Sequence, residues 1–132
     1  MEKIIIQTKK FKEIVDLTDL INKKIQEDKF EEGLCHLFLL HTTAALTCAD
    51  LDPGTDLDMF DAFEAIMPKL KYRHSHNPAH TPDHILSAMI GVSLFVPVRD
   101  GNLELGEWQR AVLIELDGPR EREVAISYVK TF

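Results

Sequence analysis

From residue 93 onward the chain is written in short apolar runs broken by two Asp-Gly pairs, and this pattern limits the fold more than any other feature. Leu94-Phe95-Val96-Pro97-Val98 and the segments 102–105, 108–116 and 122–131 each have strand length. Asp100-Gly101 and Asp117-Gly118 between them are tight-turn signals. The C-terminal third is therefore expected to be an antiparallel meander. Such a sheet must have its apolar face covered, and the rest of the chain has to supply the cover.

Residues 2–8 hold the β-branched run IIIQT, a first strand. Ile14, Leu17, Ile21 and Ile25 then recur at helical spacing, which predicts an amphipathic helix over 13–26. The apolar runs 34–40 and 44–48 read as core strands. A turn at 50–54 leads into a second helix marked by Leu57, Phe60, Phe63 and Met67 and stopped by Pro68. Thr81-Pro82 opens a short third helix that Gly91 ends. The expected fold is one α+β domain over 1–132, a two-sheet antiparallel β-sandwich with two long helices and one short helix. A length of 132 residues with 45% apolar and 28% charged composition suits one soluble core. Its longest apolar runs are too short to span a bilayer, and no secretory h-region follows the N-terminus, so a cytoplasmic protein with no membrane partner is expected. The net charge of -7, with scattered lysines and arginines, argues against nucleic acid. Cys35 and Cys48 lie inside apolar stretches and read as reduced, buried thiols.

Four of the six histidines fall between Tyr72 and Ile90, at 74, 76, 80 and 84. His74 and His76 form an H-x-H pair. Thr81 reads as a helix cap with His84 in the first turn, where unpaired backbone N–H groups favour an anion. The plain alternative is a polar surface loop. The clustering favours a metal or phosphate site, with His74 and His84 as the leading ligand pair and His80 and His76 beside them. His41 ends a buried strand, where sites form, whereas His36 would point to the opposite face and is read as structural. Trp108 and Gln109 follow Gly106, a place where a ring and an amide can line a pocket. Among the cations near turns, Arg120 is the one favoured for phosphate over Arg99 and Arg110.

Two runs, HLFLLHTTAALT at 36–47 and SLFVPVRDGNLELGEWQ at 93–109, together with Tyr72-x-His74 and Pro82-x-His84-Ile85, resemble the YjbQ family, also called the secondary thiamine-phosphate synthase family. The resemblance covers nearly the whole chain. It implies an α+β sandwich, a homotrimer about a threefold axis, and in some members a side activity that joins the pyrimidine pyrophosphate and thiazole phosphate halves of thiamine phosphate. Where many members carry an Asn-Glu-rich segment after the HTTAAL strand, this chain has Cys48-Ala49-Asp50-Leu51-Asp52, which keeps an acidic group at Asp50. His80 stands where relatives commonly have an acidic residue. The expected site accordingly has His41, Asp50, Trp108 and Gln109 as catalytic groups and Thr42, Thr43, Ser93 and Arg120 against a phosphorylated small molecule. His74, His80 and His84 would hold a divalent metal, whether zinc, manganese or magnesium. The rival expectation is a non-catalytic trimer that binds a metal or metabolite through the same histidines.

Overall fold

The computed structural model describes residues 2–131. In chain order the elements are β1 (Glu2–Gln7), β2 (Glu13–Asp16), α1 (Thr18–Glu27), β3 (Gly33–Leu39), β4 (Ala44–Ala49) and α2 (Thr55–Ile66). A 3-10 turn at Pro78–His80 runs into α3 (Thr81–Ile90), followed by β5 (Ser93–Arg99), β6 (Asn102–Leu103), β7 (Arg110–Glu115) and β8 (Glu121–Val129). The strands form a five-stranded sheet, β1-β8-β3-β5-β6, and a three-stranded sheet, β2-β7-β4. Every pairing is antiparallel.

Between the sheets lies the main core, with Ile4, Ile6, Leu37, Val96, Leu113, Val124 and Ile126, completed by Ile21 and Ile25 of α1. The far face of the three-stranded sheet carries a second cluster. Ala45, Val112, Ile114 and Leu116 meet Leu86 of α3 and Phe60 and Phe63 of α2 there. Strand β7 is thus buried on both faces, Ala111 and Leu113 one way and Val112 and Ile114 the other, which explains its unbroken apolar run. The run at β3 has another cause. Only alternate residues Cys35, Leu37 and Leu39 point inward, while Leu34, His36 and Phe38 lie on an outer face.

The first helix is shorter than its periodicity predicts. Residues 13–16 pair with β7 as a strand, Ile14 opposite Ile114 and Val15 opposite Leu113. Ile14 packs into the second cluster and Val15 against the main core, a strand alternation that only coincides with the helical stripe at Ile14. Thr18 opens the helix, its N–H donating to Asp16 Oδ1 at 3.0 Å. At α3 the expected threonine cap is absent, because the chain is already turning before Thr81. Asn77 Oδ1 caps the preceding 3-10 turn by accepting from Ala79 N–H at 3.0 Å, and the Thr81 N–H is bonded to the Pro78 carbonyl.

Both cysteines are free, and burial pushes the Cys35 thiol up to about 12. Among the described residues no helix is long and apolar enough to cross a membrane.

Candidate functional site

Three of the connections that cross between the two sheets come together at one place: 8–12 from β1 to β2, 40–43 from β3 to β4, and 116–120 from β7 to β8. They are tied together by backbone bonds, Leu116 N–H to Thr43 O at 3.2 Å, Gly118 N–H to Phe11 O at 2.8 Å, Thr8 N–H to Arg120 O at 2.9 Å and Leu40 N–H to Glu123 O at 3.1 Å. Gly118 is needed for this closeness, since a Cβ there would collide with the Lys10 carbonyl. The 3-10 turn and the start of α3 lie beside the crossovers. A cleft of about 690 Å³ opens among them, lined by His41, Thr42 and Thr43 from one connection, Asp117 and Arg120 from another, Glu121 and Arg122 from the start of β8, His80 from the 3-10 turn and His84 from α3.

The cleft is rich in hydrogen-bond donors. His41 Nε2 accepts the Glu123 backbone N–H at 2.8 Å, which assigns the ring proton to Nδ1. Burial, and then the Arg122 guanidinium, lower the His41 pKa, so the ring is a neutral donor at ordinary pH. Arg120 donates from Nε to Asp117 O at 2.8 Å and from Nη2 to Asp117 Oδ2 at 3.0 Å, and its Nη1 has no partner among the described residues. His80 Nδ1 lies 3.6 Å from the same carboxylate oxygen, Asp117 Oδ2. Beneath them Arg122 and Glu115 form a buried ion pair. Burial alone would raise the Glu115 carboxyl, but bonds from Arg122, the Asp117 N–H and the Thr8 hydroxyl hold it below its usual range.

The structure brings together His41, Thr42, Thr43, His80, His84 and Arg120 of the residues singled out from sequence. His74 reaches the group only through His84, its ring stacked on that of His84 with centroids 4.8 Å apart and an interplanar angle of 14°. An ion bound by imidazole lies in the plane of the ring, so two rings held face to face do not share one without turning. His80 at the end of the 3-10 turn and His84 in the first turn of α3 both line the cleft and are the better-placed pair. Among the described residues no three His, Cys, Asp or Glu side chains gather closely enough to hold a metal.

The remaining singled-out residues lie elsewhere. Asp50 and Trp108 line a separate, smaller cleft with Asp16, Asp52 and Arg110, and Trp108 is 67% exposed. Gln109 turns back to accept the Gly106 N–H at 2.8 Å through Oε1. Ser93 pairs with His36 Nε2 at 2.6 Å on the outer face of the large sheet, where His36 also stacks on Phe95. Glu115, Asp117 and Arg122 were missed in the sequence. A glutamate inside the run AVLIEL was the available signal, because a charge within a strand buried on both faces must have a partner.

The sequence profile described as "UPF0047 protein YjbQ-like" matches residues 2–131. This chain belongs to the YjbQ-like UPF0047 family. It is 38% identical to a UPF0047 protein of Mycobacterium bovis over 121 residues, covering 89% of this chain and 92% of that one. A UPF0047 protein of Methanocaldococcus jannaschii is 33% identical over 125 residues, with 94% and 90% covered. Among solved structures, a conserved hypothetical protein from Thermus thermophilus superposes with a TM-score of 0.87 at 28% identity, covering 98% of this chain and 100% of that one. A Sulfolobus solfataricus protein of unknown function gives 0.88 at 28% identity, covering 98% and 95%. The YjbQ-like fold is therefore an α+β arrangement of two antiparallel sheets and three helices.

Proposed function

We propose that the cleft at the sheet crossovers binds the phosphoryl group of a small phosphorylated metabolite. The observation that carries this reading is His41, whose Nε2 is occupied by the Glu123 N–H so that Nδ1–H remains as a fixed donor in the cleft that also contains Arg120. The oxygens of a phosphoryl group near neutral pH are mostly acceptors, and N–H and O–H donors suit them. Thr42 and Thr43 add hydroxyls, and His80 and His84 line the same cleft.

The activity proposed for this site is thiamine-phosphate synthase chemistry, a transferase step in which pyrophosphate leaves the pyrimidine-bearing carbon as the thiazole nitrogen attacks. Loss of pyrophosphate needs positioning and neutralisation of the leaving oxygens more than a strong base. A divalent ion, when bound, would add charge neutralisation, and His80 and His84 are the residues placed to hold it, with ligand oxygens and water completing the shell. The His41 N–H and the Arg120 guanidinium would hold the phosphoryl oxygens in either case. The second reading, a non-catalytic metabolite-binding protein, uses the same donors, and Asp50 and Trp108 lying in a separate cleft favour it over a larger catalytic assembly within one chain.

Titration calorimetry with inorganic phosphate and pyrophosphate, followed by a turnover assay with the two thiamine precursors and manganese, tests both readings. Saturable phosphate binding with turnover above a metal-only blank supports the synthase. Binding without turnover supports the metabolite-binding reading. Absence of phosphate and pyrophosphate binding removes the proposal.

A further inference from the structure

One ion pair beneath the cleft joins the two sheets. Glu115 is the last residue of β7 in the three-stranded sheet and Arg122 the second residue of β8 in the five-stranded sheet. Their exposures are 0% and 1%. Desolvation offsets most of what such a pair gains from Coulomb attraction, so a fully buried pair is a poor means of stabilising a fold. Its hydrogen bonds indicate a different use.

We propose that Glu115 and Arg122 are positioning residues, a buried clamp that fixes connections 40–43 and 116–120 so that His41, Thr43 and Arg120 aim their donors at one anion. The proposal takes its ligand from the phosphoryl-binding reading above.

Two routes leave the pair. On the Arg122 side, Nη2 donates to Thr43 O at 3.0 Å and to Thr43 Oγ1 at 2.9 Å. Because Thr43 Oγ1 accepts from the guanidinium, its own hydrogen is left for another acceptor. The next residue, Glu123, supplies the N–H that fixes the His41 tautomer, so 40–43 is held to the start of β8 at both ends.

On the Glu115 side, Oε1 accepts from the Thr8 hydroxyl at 2.7 Å and from Arg122 Nε at 2.9 Å, and Oε2 accepts from Asp117 N–H at 3.0 Å and from Arg122 Nη2. Thr8 Oγ1 in turn accepts the Arg120 backbone N–H at 2.8 Å. The carboxylate thereby fixes Arg120 through Thr8 and again through Asp117, which grips its guanidinium. An apolar pair of the same volume would fill the space and lose both routes.

Arg122→Lys separates positioning from mere charge. The ammonium keeps a positive partner for Glu115, but a point charge cannot span Glu115 and both Thr43 oxygens as the planar fork does. Folding is followed by circular dichroism, phosphate affinity by calorimetry, and the His41 tautomer by nitrogen NMR of the ligand-free protein. In folded Arg122→Lys, phosphate affinity should fall about tenfold or more, and the His41 signature should move from a single Nδ1–H tautomer toward a mixture. Lys24→Gln, at an ion pair with Glu2 and Asp28 on another part of the surface, is the control and should change neither. Wild-type affinity together with an unchanged tautomer in Arg122→Lys overturns the clamp. If the wild type binds no phosphate, the phosphoryl reading fails by itself, and the ligand-free tautomer still decides the clamp. Should Arg122→Lys not fold, Thr8→Val cuts the Glu115 route while leaving both charges paired. Weakened phosphate binding with an intact His41 tautomer then supports the clamp, and unchanged binding overturns it.

Discussion

His41 is held neutral from two directions, by burial and by the positive charge of Arg122, and its Nε2 is already occupied by the Glu123 N–H. A ring so fixed donates but has no free lone pair, which suits it to the proposed anion-binding role better than to that of a general base. Replacing it with alanine removes one hydrogen bond to a charged ligand, and phosphate affinity measured by calorimetry should fall roughly ten- to a hundredfold. The lowered pKa also has a sign for stability. The unfolded chain binds the proton more readily, so stabilisation from neutral His41 is fully present above its ordinary pKa of 6.5 and is lost as pH falls through the lower folded value. The depressed Glu115 carboxyl acts in the same direction in more acidic solution, its contribution present above 4.5 and lost as pH falls through the folded value. Urea unfolding across the acid limb should show both losses, and His41→Gln should flatten the one nearer neutrality. Glu115→Ala would strand the Arg122 charge in the interior, costing about 3–5 kcal/mol in the same unfolding measurement.

At the scale of elements, α2 and α3 differ in how they are held. Ser87 of α3 donates to the Ala44 carbonyl at 2.7 Å from a buried position, and Lys12 donates to Asp83 at 3.0 Å and to the Leu116 carbonyl at 2.7 Å. Helix α2 has no fully buried residue, and its Phe60 and Phe63 border an apolar cavity of about 710 Å³ instead of filling it. Amide hydrogen exchange should therefore be faster along α2 than along α1 or α3, and equal protection would contradict this account. The connections between sheets are the opposite case, packed backbone against backbone. Gly118→Ala should push 116–120 away from Lys10 and Glu115, lowering stability by about 1–3 kcal/mol in denaturant titrations.

For the whole molecule, the outer face of the five-stranded sheet is the unusual surface. Ile5, Phe38, Phe95 and Val129 remain 39–56% exposed on neighbouring strands, a patch of the kind that marks association. The homotrimer that the sequence resemblance implies would bury it, and Phe95→Asp should then shift light scattering from trimer toward monomer; a wild-type monomer at micromolar concentration would remove the trimer. The three helices, most of the strands and the antiparallel class were legible in the sequence, because periodicity and turn chemistry are local properties of the chain. The sequence marked His41, the two threonines after it, His80, His84 and Arg120. It could not tell the strand 13–16 from the helix behind it, since Ile14 satisfies both periods until β7 supplies the ladder. Nor could it read Arg122 in the run RERE as anything but a solvated charge. That Arg122 meets Glu115 between the sheets, that Asp50 and Trp108 lie in another cleft, and that His74 faces His84 ring to ring emerged with the folded arrangement. The physical reason is that burial and the partner of a polar group depend on which strands the fold lays side by side, and residues 8, 43, 115 and 122 become neighbours only when the two sheets close on one another.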